Sequence, residues 1–99
     1  MQASSLNKVK TILKKEKGNL SDKYGVSEIG VFGSYVSGNF SKKSDIDILV
    51  DFKRPIGLLK FVELEGYLRN KLGKKVDLVS KGGIKPYIKE DILRSTVYV

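Results

Sequence analysis

Apolar positions along this chain recur with two different periods, and the switches between them mark out its elements. Leu6, Val9, Leu13 and Leu20 follow helical spacing while Lys8, Lys10, Lys14, Lys15 and Lys17 lie outside the stripe. This predicts a first helix capped by Ser4 or Ser5, with Gly18 as its weak point. Gly25 marks the turn into a first strand that ends in Ile29 to Phe32. From Asp45 the period falls to two. Asp45 and Asp47 alternate with Ile46, Ile48 and Val50, the pattern of a strand with one acidic and one apolar face. Helical spacing returns in Phe61, Leu64, Leu68 and Leu72, within a third helix from Leu58 to Leu72 that Pro55 opens and Gly73 follows. That stripe is read as core. Lys75-Val76-Asp77-Leu78-Val79-Ser80 alternates once more, as a strand. Beyond Gly82-Gly83, the spacing of Ile84, Ile88 and Ile92 predicts a last helical segment opened by Pro86, and the pattern leaves Thr96-Val97-Tyr98-Val99 undecided.

The expected fold is α/β: a small mixed sheet, with strands at about 28–32, 45–51 and 75–80, flanked by helices. Only ten residues separate Ser34 from Asp45, so the first two strands must run antiparallel if both ends are to meet one ligand. The connection from Phe52 to Lys74 has room for a helical crossover, which makes the third strand parallel to the second. Residues 1–99 are expected to form one domain, small enough for its core to be marginal and for a partner surface to help.

The chemistry lies where the strands end. A glycine at the end of a strand lets backbone approach an anion, and Ser34 adds a hydroxyl and an N–H, so Gly33-Ser34 is a candidate cradle for a triphosphate. Asp45 and Asp47 project from one face of the next strand, and Asp77 is expected level with them on the third. Two like charges about 4 Å apart repel by roughly 4 kcal/mol at an effective dielectric of about 20, so carboxylates facing a triphosphate require divalent cations between them. All-oxygen ligation suits Mg²⁺, and two such ions can hold the attacking and leaving oxygens of an in-line displacement at phosphorus. With no His and no Cys, a zinc site is not expected. Asp77 is also a candidate base for an attacking hydroxyl. Asp51 shares the acidic face by parity but closes the strand, and a solvated role is expected for it.

The Gly-Ser turn, the ten-residue gap, Asp45-x-Asp47 and the later Val76-Asp77-Leu78-Val79 strand resemble the minimal nucleotidyltransferases of the polymerase-β-like superfamily, over nearly the whole chain. These small proteins are paired with HEPN-domain toxins in prokaryotic toxin–antitoxin modules. The resemblance implies the nucleotidyltransferase fold and transfer of AMP from ATP to a tyrosine of a HEPN toxin, an RNase, which silences it. It implies Gly33 and Ser34 at the triphosphate, Asp45 and Asp47 as metal ligands and Asp77 as the third acid. Many relatives carry Arg after Gly-Ser, where this chain has Tyr35, Val36 and Ser37, and many carry Arg near Tyr87. Phosphate neutralisation is therefore expected from Lys42 or Lys43. The departures keep a second reading open, in which the protein neutralises its partner by binding and occlusion and the nucleotide site is a relic.

Composition narrows the partners. Hydrophobic residues make up 40% of the chain, and a net charge of +8 attracts ATP and acidic surfaces. The lysines are spread along helices rather than gathered with aromatics, so no specific nucleic-acid partner is expected; Lys85-Pro86-Tyr87-Ile88-Lys89 alone interleaves charge with an aromatic ring. No repeat, low-complexity stretch, signal peptide or membrane-length apolar run is present, and a cytoplasmic protein is expected.

Overall fold

The computed structural model describes residues 4–99. Its elements are α1 (Leu6–Tyr24), β1 (Val26–Phe32), α2 (Ser34–Ser37), β2 (Ile46–Phe52), α3 (Leu58–Leu72), β3 (Val76–Ser80), a 3-10 turn (Lys81–Gly83), α4 (Pro86–Ser95) and β4 (Val97–Tyr98). They form an α/β structure around one four-stranded mixed sheet of order β3-β2-β1-β4. β1 runs antiparallel to both β2 and β4, and β2 runs parallel to β3, the crossover between them being α3.

One face of the sheet is packed and the other is largely open. Ile29 and Val31 of β1, Ile46, Ile48 and Val50 of β2, and Val76 and Leu78 of β3 are buried in one cluster with Val9, Leu13 and Leu20 of α1 and Leu64, Leu68 and Leu72 of α3. Each fully buried Leu or Ile side chain contributes about 1.5–3 kcal/mol, so this layer is the main source of stability. The two helices are also tied to each other, since the Tyr67 hydroxyl donates a hydrogen bond to Glu16 and holds that carboxyl below its usual range. Leu49 is buried on the opposite face, where the 81–83 turn passes close to β2.

Several local choices explain where the elements begin and end. Ser5 caps α1, its hydroxyl accepting the Lys8 N–H at 3.2 Å. The helix then runs unbroken through Gly18 and stops at Gly25, whose φ of 71° is left-handed and whose N–H reaches back to the Leu20 and Ser21 carbonyls. β1 starts earlier than the alternation suggests. Val26 pairs with Phe52 and Glu28 with Asp51, so Ser27 is an extra residue, a bulge that puts both Val26 and Ile29 on the core side despite their odd separation.

Two expectations are corrected, those for Pro55 and Asp51. Pro55 does not open α3: the chain uses residues 55–57 to leave the sheet, and Gly57 occupies the position before the helix. The expected core stripe of α3 holds, with Leu64, Leu68 and Leu72 buried and Phe61 packed against them, while Leu58, Leu59 and Val62 lie off it and are exposed. Pro86 opens α4 as expected, with Ile84 buried just ahead of the helix and Ile88 39% exposed on it. Asp51 does not close β2: the strand runs on to Phe52, whose N–H donates to Asp51 Oδ1 at 3.0 Å.

The undecided tail becomes β4, laid along β1. Gly30 pairs with Tyr98 and Val31 with Val97, and the Val99 N–H donates to the Ile29 carbonyl at 3.0 Å. Gly30 is what permits this approach, since a Cβ there would meet Thr96 Cγ2 at 2.6 Å and the Val97 carbonyl at 2.9 Å.

Candidate active site

Three strands bring the candidate residues to one end of the open face. In register, Asp47 lies between Phe32 of β1 and Asp77 of β3. Asp45 stands one residue ahead of β2, on the same side as Asp47 by the period of two. The start of β2 is pinned by the Ile46 N–H, which donates to the Lys75 carbonyl at 3.0 Å. Antiparallel β1 and β2 and parallel β2 and β3 thus put the end of one strand and the beginnings of two others at a single edge.

Gly33 follows Phe32 and makes the turn. Its φ of 74° and ψ of −147° belong to glycine, and a Cβ there would lie 2.0 Å from Asp47 Oδ2. Its carbonyl accepts the N–H groups of Val36 and Ser37, each at 3.1 Å, which starts α2, while the Ser34 N–H donates to the Asp47 carboxylate. The turn and the central acid are therefore one packed unit. Gly33, Ser34, Asp45, Asp47 and Asp77 are brought together by the fold.

Asp47 is pushed up to about 6, first by burial, then by the charges of Asp77 and Asp45 and a hydrogen bond with Asp77; the Ser34 N–H opposes the rise. This concentration of negative charge, with acceptor oxygens alone, is the donor chemistry of a hard divalent cation. Among the described residues, no three acids converge closely enough to enclose an ion by themselves. Mg²⁺ usually keeps several waters and takes one or two carboxylates plus phosphate oxygens, so an open set of acids fits it.

Lys42 and Lys43 lie elsewhere in this neighbourhood. With Ser4, Ser44, Asp45, Gly73, Lys74 and Lys75 they line a cleft of about 750 Å³ that meets the acids at Asp45 and includes neither residue of the Gly33-Ser34 turn. Lys74 is held in place: its Nζ donates at 2.9 Å to the hydroxyl of buried Tyr35, and that ring stacks on Phe40 at 4.2 Å. The sequence reading missed Lys74 and Lys75. Their signal was register, since parallel pairing of Ile46 with Val76 brings the residues before β3 beside Ser44-Asp45.

No helix among the described residues is long and apolar enough to cross a membrane. Residues 6–99 match the model of the nucleotidyltransferase domain family. The protein adenylyltransferase MntA of Thermococcus cleftensis is 50% identical over 99 residues, covering 100% of both chains. Among solved structures, one assigned provisionally as a minimal nucleotidyltransferase superposes with a TM-score of 0.74 at 32% identity, over 90% of this chain and 93% of that one. A toxin–antitoxin complex with AMP-PNP gives a TM-score of 0.70 at 25% identity, over 93% of this chain and 69% of its counterpart. The mixed sheet flanked by helices is the fold of these neighbours, and the chain belongs to the nucleotidyltransferase domain family.

Proposed function

We propose that this chain, acting as one domain over residues 1–99, transfers AMP from ATP to a tyrosine hydroxyl of a HEPN-domain toxin and so acts as its antitoxin. The observation that carries the reading is the placement of Asp47, packed against the Gly33-Ser34 turn on one side and paired with Asp77 on the other. A triphosphate on the turn would lie directly beside the acids. The 50% identity to a protein adenylyltransferase along the whole chain supports AMP as the group transferred, and the toxin–antitoxin neighbour with AMP-PNP supports the partner class and the nucleotide.

In this reading the Gly33-Ser34 backbone and hydroxyl hold the triphosphate tail, and Lys42 and Lys43 lower the charge of the bound nucleotide. Asp45, Asp47 and Asp77 hold the Mg²⁺ ions. When bound, those ions would supply charge neutralisation at the reacting phosphate. Asp77, at the edge of the sheet, takes the proton of the acceptor hydroxyl. The hydroxyl oxygen forms a bond to the α-phosphorus as the α–β bridging bond breaks, and pyrophosphate departs with the electron pair. Alignment of the reacting atoms contributes to the acceleration, because holding two reactants in line replaces a bimolecular encounter.

Intact-mass spectrometry of a HEPN partner tests this. Incubation with this protein, ATP and Mg²⁺ should add mass in AMP-sized steps, EDTA should prevent it, and peptide mapping should find the nucleotide on tyrosine. The modified partner should stay inactive as an RNase after this protein is removed. Full neutralisation at unchanged mass would establish occlusion instead.

A further inference from the structure

Four lysines line one cleft against a single carboxylate, that of Asp45. Lys42 and Lys43 come from the segment before β2 and Lys74 and Lys75 from the segment before β3, and none of them makes an ion pair with a described residue. Like charges gathered this way repel unless a ligand neutralises them, as loop lysines are free to disperse into water. The fold prevents full dispersal. Lys74 is fixed to Tyr35, and Lys75 is fixed in the backbone by the Ile46 N–H to its carbonyl. Asp45 lines the cleft and neither Gly33 nor Ser34 does, so Lys74 and Lys75 add charge beyond the Lys42 and Lys43 assigned to the nucleotide.

We propose that the cleft between Lys42-Lys43 and Lys74-Lys75 is a docking site for an acidic segment of the protein that receives the nucleotide. The proposal rests on the protein-acceptor reading above and adds what selects the acceptor: carboxylate side chains near the receiving hydroxyl. The lining favours a polypeptide over a nucleic-acid strand. Grooves that follow single strands combine positive charge with aromatic rings on which bases stack, each worth about 1–3 kcal/mol, and this cleft presents lysines, serines, Asp45 and a glycine with no ring among them. It also holds no arginine, the residue whose planar fork fits phosphate in two hydrogen bonds. Flexible ammonium groups suit the variable spacing of Asp and Glu along a chain. The serines at Ser4 and Ser44 add hydroxyls that can donate to carboxylates.

Hexaglutamate is the probe, and oligoadenylate of equal charge is its competitor. Titration at low salt should give hexaglutamate binding that weakens at least fivefold in Lys75→Glu. Lys17→Glu makes the same change of net charge on the exposed side of α1, roughly 18 Å along the helix from Ser5, and should keep affinity within twofold of wild type. In AMP transfer, Lys75→Glu should raise the KM for the acceptor protein about tenfold and leave the KM for ATP within twofold. Equal weakening by Lys17→Glu would overturn the proposal in favour of the general field of the protein. Tighter binding of oligoadenylate would overturn it in favour of a phosphate chain, and a parallel rise in the KM for ATP in favour of a nucleotide role. A wild-type protein that transfers no AMP to any protein would instead fail the underlying reading, whatever the peptide titration shows.

Discussion

Ionised Asp47 is held against its preference by the residues that surround it. Its folded value of about 6 lies above the ordinary 3.8, so the folded protein binds that proton more tightly than the unfolded chain. The corresponding stability is fully present below about 3.8 and is lost as pH rises through about 6. Metal-free protein should therefore melt higher near pH 5 than near pH 7 through this group, and Asp47→Asn should remove that part of the dependence. The carboxyl is partly open to water, which screens the repulsion. A gain on the order of 1 kcal/mol is then expected for Asp47→Asn, a rise of roughly 5 °C in a domain of this size, with AMP transfer abolished. Thermal melts in EDTA from pH 4 to 8 check it. Asp77→Asn should lower transfer by about 10²–10⁴, the range for a lost general base, and spare much of the ATP binding. Asp51→Asn should change transfer little; equal losses at Asp51 and Asp47 in a kcat comparison would show that Asp51 shares the chemistry. Parity along a strand marked Asp45, Asp47 and Asp77 as candidates because alternation is local backbone geometry, and strand pairing brings Asp47 beside Asp77. The Asp47 shift depends on burial and on two neighbours brought in by pairing, and no window of sequence contains that.

At the scale of elements, hydrophobic period located every helix of the main layer, because α1 and α3 each present a stripe to one apolar sheet face. It failed where partners decide. The bulge at Ser27 depends on pairing with β2, and β4 exists only because β1 offers it an edge. Gly30 records that contact, yet in sequence it reads as an ordinary strand residue. Gly30→Ala should push β4 away and cost about 1–3 kcal/mol, as overpacking does. Gly66→Ala is the internal control: nothing lies within 4 Å of a Cβ there, the site is exposed within α3, and the change should stabilise by up to about 1 kcal/mol. Denaturant melts of the two variants should move in opposite directions. A loss at both would show that glycine is required in α3 for a reason the packing does not contain.

For the whole molecule, the +8 charge and the cleft act at different ranges. The general field would accelerate encounter with the acidic partner proposed above and is screened over about 8–10 Å at ordinary salt, while the proposed chemistry at the acids is local. AMP transfer at subsaturating acceptor should fall roughly tenfold between about 0.05 and 0.5 M salt, with kcat nearly constant. A kcat that falls in step with kcat/KM would place the salt effect in the reaction rather than the encounter. The order β3-β2-β1-β4 has one more consequence, readable by amide exchange. Asp47 belongs to a strand bonded on both sides, whereas Asp77 belongs to one bonded on a single side, so one acid rides on a slow-exchanging ladder and the other on a fast-exchanging margin. Deuterium should enter β3 at alternate positions long before it enters β1 or β2. The proton acceptor proposed above then sits on the strand that can breathe, and the proposed metal anchor on the strand that cannot.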